Sequence, residues 1–312
     1  MKTPDTVKKQ TPLPCRLTND YMFRAVFQSY PKALEGLCRS VLHLSPKDTV
    51  SIELRNPVIL GQQINNKEFV LDLAVIVNGS INLNLEMQMY HDPYWIERSI
   101  SYTCRSFDNL KHGAEYGMVL PVIHVGFLGY DLFPDHPQFF STYLLTDTKS
   151  GQIYSDKFRI SVLNLNHIEL ATEEDRKNTL DLWAEFFKAE NWEEINMLAQ
   201  QNEYIKEAVS GIAVLTEDEQ ILQQCQARED FEYWERIKEN GHRRELEEKE
   251  RVIAEKEKAL VEKNEALAEK DEALVEKDEA LADLTKKESR YLQEIADLKA
   301  RLAALESSSR QN

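Results

Sequence analysis

The chain has 312 residues, 42% of them hydrophobic, and a formal net charge of −16, enough length and apolar content for one sizeable core and a second region. Residues 1–170 hold 16 Lys and Arg against 17 Asp and Glu, leaving 22 against 37 for the remainder, so the acidity belongs to the C-terminal part and does not argue against nucleic-acid binding by the front half. Cys15, Cys38, Cys104 and Cys225 are widely scattered, with no C-x-x-C and no nearby paired His, so they indicate neither a zinc site nor a disulfide framework, and the lack of a leader-like or ~20-residue apolar run predicts a cytoplasmic protein with no membrane span.

Residues 1–17 read as a flexible leader. Thr18-Asn19-Asp20 then offers capping side chains before Met22, Phe23, Val26 and Phe27 at helical spacing, and Pro31 opens a second helix through Leu34, Leu37 and Val41. Both helices are expected on one face of a sheet. Val50–Leu60 reads as a strand interrupted at Asn56-Pro57.

The segment Phe69–Tyr90 carries the sharpest chemical signal. Ile81, Leu83, Leu85, Met87 and Met89 alternate with Asn82, Asn84, Glu86, Gln88 and Tyr90, the period-two pattern of a strand with one apolar face. A two-residue Asn-Gly turn would set Val75 against Asn82. A three-residue loop over Asn78, Gly79 and Ser80, with Gly79 in the left-handed position, pairs Val77 with Ile81, Val75 with Leu83, Leu73 with Leu85, Leu71 with Met87 and Phe69 with Met89. One face becomes apolar, and the other sets Asp72 opposite Glu86 with Gln88 one step further. Two carboxylates across a ladder repel, which suggests a cation between them. The plainer alternative is a solvated polar face, although a lone carboxylate in the otherwise apolar first strand would be costly.

Asp92-Pro93 is expected to start a helix running to about His112 and stopped by Gly113, with Trp95, Ile96, Ser99, Ile100, Thr103, Phe107 and Leu110 on its buried side. Arg98, Tyr102 and Arg105 share another face. Two readings of that face stand: contact with backbone phosphates, or an ion pair from Arg98 to Glu86 or Asp72 with Tyr102 packed beside it. Val119–Leu128 is almost continuously apolar, as in a central strand covered on both faces, and His124 within it reads as a structural core histidine. Phe139–Thr146 and Phe158–Leu165 add strands, with a turn at Lys149-Ser150-Gly151. Strands interleaved with helices make residues 18–170 an α/β domain.

These residues together resemble the Rpn family of recombination-promoting nucleases, also described as PD-(D/E)xK family transposases. The resemblance rests on Asp72 in LDL and Glu86-Met87-Gln88 in LEMQ, with the flanking segments NDYMFRAVF (19–27), ERSISY (97–102) and LPVIHVGFL (120–128) in order. Leu71 stands where the motif name places proline, and Gln88 where many members of the superfamily carry lysine. The resemblance implies a mixed central sheet flanked by helices and a metal-dependent endonuclease acting on DNA. It implies Mg²⁺ or Mn²⁺ held by Asp72, Glu86 and the backbone carbonyl of Met87, with Gln88 orienting the attacking water. It also places Asp20 at an acidic position of the opening helix, near the metal; a simple helix cap is the alternative there. A nuclease-like module that holds DNA or protein without turnover is the rival reading of the whole.

From Thr172 the pattern turns helical, predicting a helical subdomain over 171–240 in which an aromatic stripe including Phe231, Trp234 and Ile237 is buried core. Asn240-Gly241 is expected to break the last of these helices. Residues 241–312 then form a charged heptad-repeat helix or coiled-coil tail. Residues 259–279 read ALVEKNE, ALAEKDE, ALVEKDE. Leucine or isoleucine occupies position a at 246, 253, 260, 267, 274, 281, 295 and 302, while position d is lysine at 249, 256, 263, 270 and 277. Apart from Glu288 at position a, both positions are apolar only from Leu284 through Leu305, so residues 281–305 are the expected site of self-association; an unpartnered, fraying helix is the alternative.

Overall fold

The computed structural model describes residues 11–309 except 46, 56, 57, 60–68, 71, 109, 111, 112 and 114. Helix α1 (Asp20–Ser29) starts where the Asn19 side chain accepts hydrogen bonds from the backbone N–H groups of Tyr21 and Met22, and it buries Met22, Phe23, Val26 and Phe27. Helix α2 (Pro31–Val41) follows with Pro31 in its first turn and Leu34, Leu37 and Cys38 buried. Strands β1 (Ile52–Leu54), β2 (Val58–Ile59), β3 (Phe69–Val70), β4 (Leu73–Val77) and β5 (Ile81–Gln88) lead to helix α3 (Trp95–Phe107). Strands β6 (Val122–Leu128), β7 (Phe140–Thr146) and β8 (Ile153–Asn164) complete the sheet.

The order across the six-stranded sheet is β1-β4-β5-β6-β8-β7. Strands β5, β6 and β8 run parallel in the middle, and the outer pairings are antiparallel. Period-two alternation assigns the two faces. Leu83, Leu85 and Met87 with Ile123, Val125 and Phe127 join the large apolar cluster that includes α1 and α2. The opposite face carries Asn84, Glu86 and Gln88 beside His124, Gly126 and Leu128. There Trp95 of α3 packs with Leu128, Ile160 and Val162. Every residue of β6 is buried, as its apolar run predicts.

The hairpin has the register read from the sequence as far as Leu73 opposite Leu85. Its loop is Asn78, Gly79 and Ser80, with Asn78 as well as Gly79 at positive φ, and Asn78 Oδ1 accepts the Ser51 N–H at 2.8 Å. Beyond Leu73 the expectation fails: Phe69 pairs with Ile59 in a separate two-stranded sheet of β2 and β3, not with Met89. The chain bends at Asp72, whose carboxylate takes the Met87 N–H that a ladder carbonyl would otherwise accept. The expected Leu71–Met87 pair and the Asn56-Pro57 interruption lie outside the described residues.

Helix α3 is shorter than predicted, because Asp92 makes a turn instead of the first helical residue: its Oδ1 accepts the Tyr94 N–H and its carbonyl the Trp95 N–H. The buried face is also rotated from the expected one. Trp95, Ser99, Tyr102 and Thr103 are buried, whereas Ile96 and Ile100 are exposed.

Helices α4 (Glu173–Lys177), α5 (Leu180–Lys188), α6 (Trp192–Ala199) and α7 (Glu203–Leu215) follow. Trp183, Phe186 and Phe187 of α5 belong to the same apolar cluster as Phe23 and Phe127, with Phe187 and Phe127 rings 5.1 Å apart. Residues 171–225 thus help to cover the sheet. Helix α8 (Glu219–Ser309) buries Cys225, but Phe231, Trp234 and Ile237, predicted to be core, are exposed. Nor is there a break at Asn240-Gly241: the helix continues through both, since one glycine costs a helix only about 1 kcal/mol and no proline follows it. By its contacts the chain divides into two units, Met1–Tyr233 and Trp234–Asn312. No described helix is long and apolar enough to cross a membrane.

Candidate active site

The hairpin brings two acids together. Glu86, on β5, is almost fully buried, and Asp72, at the bend before β4, keeps a partly exposed surface. Burial pushes the Asp72 carboxyl up to about 8, with the neighbouring Glu86 charge adding to the shift. Burial likewise pushes Glu86 up to about 7, although the Arg98 guanidinium opposes it. One Asp72 oxygen accepts the Met87 N–H at 2.8 Å. Because the N–H and C=O of a strand residue point to the same side, the Met87 carbonyl shares that edge of β5 with Asp72.

Helix α3 supplies the positive charge. Arg98 Nη2 lies 2.8 Å from Glu86 Oε1, and Nη1 lies 2.7 Å from Asp92 Oδ2. The same Nη2 donates to Gln88 Oε1 at 2.7 Å, and Gln88 Nε2 donates to the Tyr90 carbonyl at 2.8 Å. Of the two readings of Arg98, the ion pair to Glu86 is the one seen. Tyr102 is buried one turn further on; burial, then the Glu86 charge, pushes its phenol up to about 12.

Sequence reasoning passed over two participants, Asp92 and Arg228, and read a third, His124, as a structural core histidine, which is indeed fully buried. His124 faces Glu86 from β6, with Nε2 3.4 Å from Glu86 Oε2, and burial followed by the Arg98 charge pushes its imidazole down to about 3, so it is neutral. The alternation that places Asn84 opposite His124 could have revealed this, had the order of β5 and β6 been known. Asp92 was read as a helix start. Arg228 of α8 had no local signal at all. Its Nε lies 2.8 Å from the carboxylate of Asp20, and 3.2 Å from Glu232 Oε1. Asp20 is buried in the first turn of α1 behind its Asn19 cap, and its charge raises both Asp72 and Glu86. It is therefore an acid beside the pair and not the cap. Arg105 lies further along α3, in its last turn.

A family model described as PD-(D/E)XK nuclease family transposase matches residues 17–240. The chain belongs to that family. No curated protein and no solved structure matches it significantly. The matched stretch of this PD-(D/E)XK chain contains Asp20, Asp72, Glu86, Gln88, Arg98, Tyr102, His124 and Arg228.

Members of this nuclease family use divalent metals, and the residues present fit such an ion in their donor chemistry. Among the described residues no group of three or more His, Cys, Asp and Glu side chains is arranged as a metal cage. The acid pair instead offers hard oxygen donors that repel each other, and the buried Glu86 Oε2 has no hydrogen-bond partner. Both features match a site that a cation completes.

Proposed function

We propose that this protein is a divalent-metal-dependent endonuclease that hydrolyses phosphodiester bonds in DNA. The observation that carries the reading is the Asp72–Glu86 pair, two carboxyl groups held close enough to raise Asp72, with Glu86 buried and its Oε2 without a hydrogen-bond partner. Asp72, Glu86 and the Met87 carbonyl would hold Mg²⁺ or Mn²⁺, which supplies Lewis acidity towards a phosphate oxygen. The chain's own groups do the rest. Asp72 is fixed by the Met87 N–H, and Glu86 by Arg98. Arg98, about one quarter exposed, presents guanidinium charge at the site, where it can also meet a substrate phosphate. Neutral His124 fills the floor behind Glu86 without adding a competing charge. Gln88 is the residue assigned to orient the attacking water, and to do so it must give up its bond to Arg98 or to Tyr90.

That last point favours a second reading. With both ends of the Gln88 amide engaged and no lysine charge at this position, the domain would bind DNA or a protein with little turnover. Recombination or mobile-element work, as in the Rpn family, and self-association through residues 281–305 are further parts of the proposal. Incubation of the purified protein with supercoiled plasmid in Mg²⁺, Mn²⁺ or EDTA separates the two readings. Metal-dependent nicking is expected, falling by about 100-fold or more in Asp72→Ala. Equal nicking by that variant overturns the site assignment, and tight plasmid binding without nicking establishes the binding module.

A further inference from the structure

The repeat at the end of α8 places one exposed leucine per heptad between two rows of opposite charge. Leu260, Leu267, Leu274 and Leu281 are each more than half exposed. With a seven-residue period, positions d and e lie about 51° to either side of position a. Lysines at 249, 256, 263, 270 and 277 form one flank. Glu250, Glu257, Asn264, Asp271 and Asp278 form the other, acidic in all but one heptad.

Apart from Lys249, which has Glu245 four residues before it, neither row can be neutralised within its own helix. Lys256, Lys263, Lys270 and Lys277 have only Val, Ile, Ala or Leu three and four residues away, the positions a helical side chain can reach. Glu257, Asp271 and Asp278 are likewise surrounded by Ile, Ala, Leu and Val alone. Adjacent residues such as Lys270 and Asp271 do not face each other. The ion pairs found along this helix, such as Arg251 with Glu248, involve none of these lysines among the described residues.

We infer that the repeat is built to pair with a second copy of this chain, in parallel and in register. About a two-fold axis parallel to the helices, the left flank of one chain meets the right flank of the other. Each lysine then lies beside the acidic residue that follows it in the partner, Lys270 against Asp271 and Lys277 against Asp278. The lysine stems lie over the leucines, and only their ammonium ends need water or a carboxylate. Antiparallel pairing is disfavoured, since it sets lysine against lysine and acid against acid. The pairing surface thus extends N-terminally beyond residues 281–305, and it stands whether or not the front domain cuts DNA.

The test uses the full chain by sedimentation at micromolar concentration, with helix content followed by circular dichroism. One variant carries Glu at all five lysine positions, and a second carries Lys at 250, 257, 264, 271 and 278. The wild type is expected to be a dimer and each variant alone a monomer, with the dimer returning when the two are mixed. For orientation, Leu246→Cys in a Cys104→Ser background should oxidise to a covalent dimer, because identical positions meet only in the parallel register. A monomeric wild type, variants that each dimerise alone, no recovery on mixing, or failure of the position-246 cross-link would each overturn the inference.

Discussion

At the scale of single residues, the candidate site is a pair of carboxylates held well above their ordinary range, and the sign of its pH response follows. Folding raises Asp72 from 3.8 to about 8 and Glu86 from 4.5 to about 7, so between these limits the folded chain binds more protons than the unfolded one. Metal-free protein is therefore expected to lose stability as pH rises from about 4 to about 8, a fall that thermal melts in EDTA would trace. Glu86→Gln should flatten part of that fall. Added Mg²⁺ should raise the melting temperature more at pH 8 than at pH 5.5, because binding must displace the same protons. An equal shift at both values would detach the pair from metal binding. Asp72 and Glu86 were legible in the sequence because alternation fixes which side chains share a face. His124 was not, because its role depends on which strand lies beside β5, and that is settled only by tertiary pairing.

Among the elements, α3 decides how the positive charge reaches the acids. Trp95 begins this helix and is buried against Leu128, Ile160 and Val162, with its ring where a side chain at Gly126 would lie: a Cβ there would come within 2.4 Å of Trp95 Cζ2. Gly126 pairs with Glu86 across the ladder, so the missing side chain sets how closely α3 approaches the site. Trp95→Ala is expected to cost about 3–5 kcal/mol in chemical unfolding and to reduce plasmid cleavage beyond what lost stability explains. Gly126→Val should cost activity in the same way, with DNA binding as the control. The sequence gives this helix but misjudges its face. Ile96 and Ile100 looked like core by hydrophobicity, yet Tyr102 is turned inward towards Glu86 and leaves them outside. The hairpin succeeded up to Leu73 for a local reason, the cost of mixing apolar and polar partners. It failed at Phe69 because β2 offered another edge.

Across the whole molecule, the apolar cluster that holds the sheet draws its buried residues from Cys15 to Cys225 and none from the repeat. Removal of residues 241–312 is therefore expected to leave the main thermal transition of the remaining chain unchanged, as differential scanning calorimetry would show, while abolishing any dimer. The acidity of the C-terminal part is legible in composition alone. The end of the front unit is not, because the helix there runs through Asn240-Gly241 without a stop. Two bonds across the front unit have a further bearing on its life in the cell. Asn19 donates to the carbonyl of Cys225 at 3.0 Å, and Asp20 takes the guanidinium of Arg228, 208 residues away along the chain. A polypeptide still emerging from the ribosome has its opening helix long before it has the residues that fasten it, so the acid cluster takes its final form only once Arg228 has been made.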